Sequence, residues 1–143
     1  MKTTNILSLL AFTMIIAACS STKNMDNGAL FNNTWELEYI SGIQVEFSEL
    51  YPEKKPKITF NESTNKVEGT NSCNGYAADF TLDGDEISFG EPGPTTMMYC
   101  GEGEPIFLNT IKKVNRYSID DEGNLNLLID DIPMMRFKKS NQK

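Results

Sequence analysis

The sequence predicts a mainly β fold: a small antiparallel, barrel-like domain with one short amphipathic helix, for which a lipocalin-like topology is one arrangement. Three observations point there. Apolar residues recur at every second position in several short runs. Turn residues divide those runs about every eight to twelve positions. One later segment abandons that alternation for helical spacing.

Taken in order, "TWELEYI" sets Trp35, Leu37 and Tyr39 against Glu36 and Glu38, and "KITFN" places Ile58 and Phe60 on one side of a strand. In "ADFTLDGDEISFG", Phe80 and Leu82 precede an Asp83-Gly84 turn and Ile87 and Phe89 follow it, a strong hairpin pattern. A second hairpin is expected in "YSIDDEGNLNLLID", with Tyr117 and Ile119 facing Leu125 and Leu127, and "IPMMRFKK" supplies a last strand. The exception is "GEGEPIFLNTIKKVN". Phe107, Leu108, Ile111 and Val114 lie at helical spacing there, with acids and Pro105 at the start and Lys112 and Lys113 near the end. Such a helix is expected to pack over an open end or face of the barrel.

The N-terminus sets the compartment. "MKTTN" is followed by "ILSLLAFTMII", an apolar run of signal-peptide length that is too short to span a bilayer as a helix. Ala17 and Ala18 then precede Cys19, and "IAAC" resembles a bacterial lipobox, whose cysteine is acylated and becomes the first residue of the mature chain. Cys19 is therefore read as the lipid anchor, where several acyl chains hold a protein firmly at a membrane. Residues 1–18 are expected to be a lipoprotein signal peptide, and 19–33 a flexible tether rich in small and polar residues. The folded domain is expected over 34–138, with a polar tail at 139–143. The address is the bacterial envelope, most simply the outer membrane facing the periplasm.

The formal net charge is −7, and removing residues 1–18 takes away one positive charge, Lys2. That sign implies no nucleic-acid partner. The one basic cluster, "PEKKPK", reads as a solvated loop.

With Cys19 committed to lipid, Cys73 and Cys100 remain, and an even remainder in an exported chain favours a disulfide, with two buried free thiols as the other reading. The sequence has no histidine and no third free cysteine, so a zinc site lacks ligands and a cysteine nucleophile lacks its usual base. Neither metal nor cofactor is expected. Asp79, Asp83, Asp85 and Glu86 do not have EF-hand spacing and suit hairpin turns. The pairs Met97 with Met98 and Met134 with Met135 put neighbours on opposite strand faces, which fits core filling and an exposed apolar edge rather than copper ligation. No nucleophile, base and orienter set is legible, and the chain is read as non-enzymatic.

"GTNSCNGY", "TTMMYC", "EPIFLNTIKKVNRYSID" and "LNLLI" together resemble the META domain of small heat-inducible bacterial envelope lipoproteins. Gly69, Cys73, Asn74 and Tyr76 match the family's first motif, and Thr96, Met98 and Cys100 its second. Trp35 and Leu37 fit a strand-initial Trp-x-Leu, while Ser72 stands where the family usually has Gly. By the period of two, Thr96, Met98 and Cys100 would share one strand face and Gly69, Asn71 and Cys73 another, bringing the sulfurs together. Asn74, Tyr76 and Thr96, with Gly69 and Met98, are either architecture or a binding patch. The resemblance implies a membrane-anchored protein that binds an envelope partner or serves stress tolerance. A small apolar-ligand carrier or a peptidase inhibitor on the same scaffold is the alternative.

Overall fold

The computed structural model describes residues 28–140. The expectations placed on residues 1–18, on Cys19 and on 141–143 of the polar tail lie outside the described residues, whereas Lys139, read as the start of that tail, ends the last strand, and Ser140 N donates to the Thr34 carbonyl. Eight antiparallel strands follow one another around a closed ring: β1 Thr34–Ile40, β2 Lys57–Asn61, β3 Lys66–Thr70, β4 Gly75–Asp83, β5 Glu86–Phe89, β6 Arg116–Ile119, β7 Leu125–Ile129 and β8 Ile132–Lys139. The order is up-and-down, and β8 returns to pair with β1.

The expected hairpins form in the expected register. Phe80 lies opposite Phe89 and Leu82 opposite Ile87, with Gly84 at positive φ in the turn. Ile119 lies opposite Leu125 and Tyr117 opposite Leu127. The inward side chains make one core, in which Trp35, Leu37, Ile58, Phe60, Leu127 and Phe137 are among the buried residues.

Strand β1 departs from strict alternation. Trp35 and Leu37 face inward, but Tyr39 is exposed and Ile40 is buried. Leu37 pairs with Phe137 and Tyr39 with Arg136, so Glu38 is the extra residue of a bulge, which flips the faces beyond it.

In an up-and-down ring the connections alternate between two rims. The N-terminus, the turns after β2, β4 and β6, and the C-terminus gather at one, the near rim. The connections after β1, β3, β5 and β7 gather at the other, the distal rim.

Each rim has its own cover. The near rim is covered by α1, Gly28–Phe31, a single turn that was expected to belong to the tether. Leu30 is fully buried, its carbonyl accepts from Trp35 Nε1 at 3.0 Å, and Phe31 packs on Phe80. The domain therefore begins at least six residues before Thr34, at Gly28, because the side chain of Leu30, four residues upstream of the strand, serves the core. At the distal rim lie α2, Phe47–Leu50, and α3, Gly103–Ile111, the helix legible from spacing. Phe107 and Ile111 are buried, and Phe107 meets Tyr76 edge-on at 5.5 Å. A Cβ on Gly103 would come within 2.6 Å of the Leu50 carbonyl, so only glycine lets α3 approach α2 this closely.

Candidate functional site

The hairpin connection between β3 and β4 carries three buried polar residues, Asn71, Ser72 and Asn74. Asn71 and Asn74 are each only 1% exposed, and buried amides need partners. Glu104, in the first turn of α3, supplies them: Asn71 Nδ2 donates to Oε1 at 2.8 Å and Asn74 Nδ2 to Oε2 at 2.7 Å. An acidic group in a first helical turn is also favoured by the helix dipole.

Asn74 reaches a second segment. Its Nδ2 donates to the Met98 carbonyl at 2.8 Å, and its Oδ1 accepts from Met98 N at 3.0 Å and from Thr96 Oγ1 at 3.2 Å. Thr95 Oγ1 donates to the Gly75 carbonyl at 2.9 Å. Cys73 and Cys100 are joined by a disulfide, with their Cα atoms 5.7 Å apart, which settles the two alternatives left by the sequence.

The disulfide does not bridge two facing strands as the period of two implied. Cys73 lies in the hairpin connection, and residues 90–101 form no strand. Pro92 and Pro94 lack the N–H a ladder requires, and the Asn74 side chain takes the place of a neighbouring strand. The methionine expectation divides likewise. Met135 is buried in the core, whereas Met97 and Met98 are both exposed, because without a strand there are no opposite faces.

Beside this network lies an open cleft of about 950 Å³, lined in part by Val45, Leu50, Lys54, the disulfide, Tyr99 and Ile106. It sits outside the packed core. Glu49, Glu53 and Glu102 also border it.

Of the motif residues, Asn74, Thr96 and Met98 come together, with the buried Asn74 side chain beneath the exposed Thr96 and Met98. Tyr76 lies buried against Phe107, and burial pushes its hydroxyl, like that of Tyr51, well above the usual tyrosine range. Tyr51 Oη donates to the Gly103 carbonyl at 2.7 Å, but Tyr76 Oη and Asn71 Oδ1 have no hydrogen-bonding partner among the described residues. Gly69 belongs to the sheet, since a Cβ there would sit 1.8 Å from the Lys57 carbonyl. The acids of the turns are committed elsewhere: Asp79 to Lys66 and Asp85 to Arg116.

Sequence reasoning missed Glu104 as the centre of this network, reading it only as a helix-starting acid. A signal existed in the two asparagines flanking Cys73, whose burial would demand a charged or polar partner.

No curated protein matches the chain in sequence. Among solved structures, one described as the NMR structure of the protein from Burkholderia xenovorans superimposes with a TM-score of 0.60 at 20% identity, covering 81% of this chain and 87% of that one. That likeness concerns the fold. The META domain profile matches residues 28–142, which takes in all eight strands, both motifs and the disulfide; this chain belongs to the META-domain family.

Proposed function

We propose that the protein is a non-enzymatic, membrane-anchored binding domain of the bacterial envelope, held through Cys19 and presenting its distal rim to a protein partner. One observation carries this reading: among the described residues, the six exposed large apolar ones, Tyr39, Val45, Met97, Met98, Tyr99 and Ile132, lie in or next to the connections of the distal rim. A chain anchored upstream of Gly28 would hold the near rim toward the membrane and leave the apolar side chains facing outward. The stress-related role implied by the family resemblance fits a tethered binder and adds no chemistry to it. The packed interior supports binding at the surface rather than carriage of an apolar ligand inside.

The test is site-specific photo-cross-linking in intact envelopes of the native host, with the reactive residue at Tyr99 on the distal rim or at Glu122 on the near rim. A discrete protein adduct from position 99 and none from 122 is the expected result. Adducts of equal yield from both positions, or from neither, would count against the distal rim. Intact-mass analysis addresses the anchor: a mature chain starting at Cys19 without added lipid mass would remove it.

A further inference from the structure

The segment between β5 and the disulfide is built unlike a plain connection. Residues 90–99 are all exposed, yet they are tied down along their length. Gly90 N and Gly93 N donate to the carbonyls of Asp79 and Ala77, each at 2.8 Å, so the segment first follows β4. Thr95 and Thr96 are then held through their hydroxyls, Met98 through both its backbone N–H and its carbonyl, and Cys100 covalently. Between these fixed points stands Met97, with its side chain 95% exposed. Pro92 and Pro94 further restrict the chain leading to it.

An exposed loop is ordinarily a site of proteolytic nicking, because a flexible chain can adapt to a peptidase active site and its products then separate. A loop already fixed on both sides of one exposed side chain loses little entropy on binding, and its ends cannot drift apart after cleavage. We propose that residues 95–99 form a substrate-like inhibitory loop for an acyl-enzyme-forming endopeptidase whose specificity pocket accepts a long, unbranched apolar side chain, with Met97 as the inserted residue. This deepens the preceding reading by naming the class of partner at the same rim.

The chemistry follows from which atom Asn74 holds. Attack by the peptidase nucleophile on the Met97 carbonyl carbon forms an acyl bond and breaks the Met97–Met98 C–N bond. The proton taken from the nucleophile by the peptidase base passes to the Met98 nitrogen. That nitrogen is the leaving amine, and it is the one hydrogen-bonded to Asn74 Oδ1 at 3.0 Å. The Met98 carbonyl, the Glu104 bridge and the disulfide keep the new terminus beside the acyl group. Return of the amine to the acyl carbon restores the peptide bond and the free nucleophile, so attack is reversed faster than water completes hydrolysis. The segment "PTTMMY" carries no charge, which excludes pockets that require Lys, Arg or an acid.

The test uses the full chain with its disulfide formed, titrated against chymotrypsin and subtilisin with a chromogenic peptide substrate. Competitive inhibition is expected in the micromolar range or tighter, with cleavage at Met97–Met98 at least roughly a thousandfold slower than in a free peptide of residues 91–101. Met97→Asp should weaken inhibition by about a hundredfold at an unchanged melting temperature. Asn74→Ala should speed cleavage toward the free-peptide rate, and a comparison below the melting transition of that variant separates loop release from unfolding. The proposal is overturned if the folded chain is cut as fast as the peptide, or if neither peptidase is inhibited at about 100 µM while an intact loop is recovered. Loss of inhibition alongside a retained position-99 cross-link would refute the inhibitory loop and leave the distal rim as a partner face. Loss of both would remove the two together.

Discussion

The side-chain amide of Asn74 treats Met98 as a strand treats its neighbour: Oδ1 accepts from the Met98 N–H at 3.0 Å and Nδ2 donates to the Met98 carbonyl at 2.8 Å. One side chain thereby replaces a ladder that Pro92 and Pro94 prevent. Asn74→Ala should cost about 3 kcal/mol in urea unfolding, since it removes several hydrogen bonds and leaves Glu104 short of a donor. Asn74→Asp should cost at least as much, because it keeps an acceptor for Met98 N but turns a second oxygen toward Glu104. Near-wild-type stability in either variant would show that the amide does not hold the segment.

Ser72 has φ of +148°, a conformation side chains with a Cβ rarely adopt, at the position where Gly is usual in the family's motif. Its hydroxyl recovers only a long hydrogen bond of 3.4 Å to the Lys54 carbonyl. Ser72→Gly should raise the unfolding midpoint by an amount worth about 1 kcal/mol, strain relief outweighing the extra freedom of glycine in the unfolded chain. A lowered midpoint would refute it.

Among the described residues, Tyr76 Oη is buried without a hydrogen-bonding partner. Tyr76→Phe should therefore be neutral or add about 1 kcal/mol, while keeping the edge-on contact with Phe107. Differential scanning calorimetry decides the sign, and a clear loss of stability would show that the hydroxyl has a partner in solution.

Removing residues 28–33 should destabilise the domain by about 3 kcal/mol or more, since the burial of Leu30 and the hydrogen bond from Trp35 Nε1 are lost together. A chain starting at Thr34 should also show red-shifted Trp35 emission. Equal denaturation curves for chains starting at 28 and at 34 would return these residues to the tether.

Acid should destabilise the fold through identifiable carboxylates. The hydrogen bond to Lys57, at 2.9 Å, holds the Glu36 carboxyl below the usual glutamate range despite partial burial, with Lys138 assisting at 3.8 Å. Arg116 does the same for Asp85. Folded-state values below the unfolded ones give stability that is fully present above the ordinary carboxylate range and lost as pH falls through the lowered values. Urea midpoints followed from about pH 7 to about pH 3 should fall, and Glu36→Gln should flatten that acid limb. An unchanged acid slope in the variant would show that Glu36 is not a contributor.

Period-two patterning made β1, β2, both hairpins and β8 legible, because each depends on neighbours a few residues away. What failed was non-local. The bulge at Glu38 reverses the faces of β1 through its pairing with β8, which no window around Tyr39 contains. The strand expected at Thr96–Cys100 was a fair reading of alternation, but the partner that binds this segment is a side chain more than twenty positions away. Glu104 joins two asparagines about thirty residues upstream, and only burial reveals that need. Leu30 and Phe31 were lost in a stretch of small and polar residues, where so short an apolar run carries no periodicity. The Cys73–Cys100 pairing was legible from counting, although the secondary structure assumed for it was not.

The last strand's return to the first has a further consequence. Lys139 lies opposite Trp35, and Ser140 N donates to the Thr34 carbonyl at 2.7 Å. The sheet therefore has no topological beginning. A short linker from Ser140 to Gly28 would close the chain into a circle, and new ends cut into the exposed turn at 62–65 would leave every strand pairing in place. Cutting the circle at 96–98 instead would spare the sheet equally but release the segment that Asn74 grips. A pair of such permutants separates what the barrel needs from what its distal rim needs, without changing a single side chain of the folded domain.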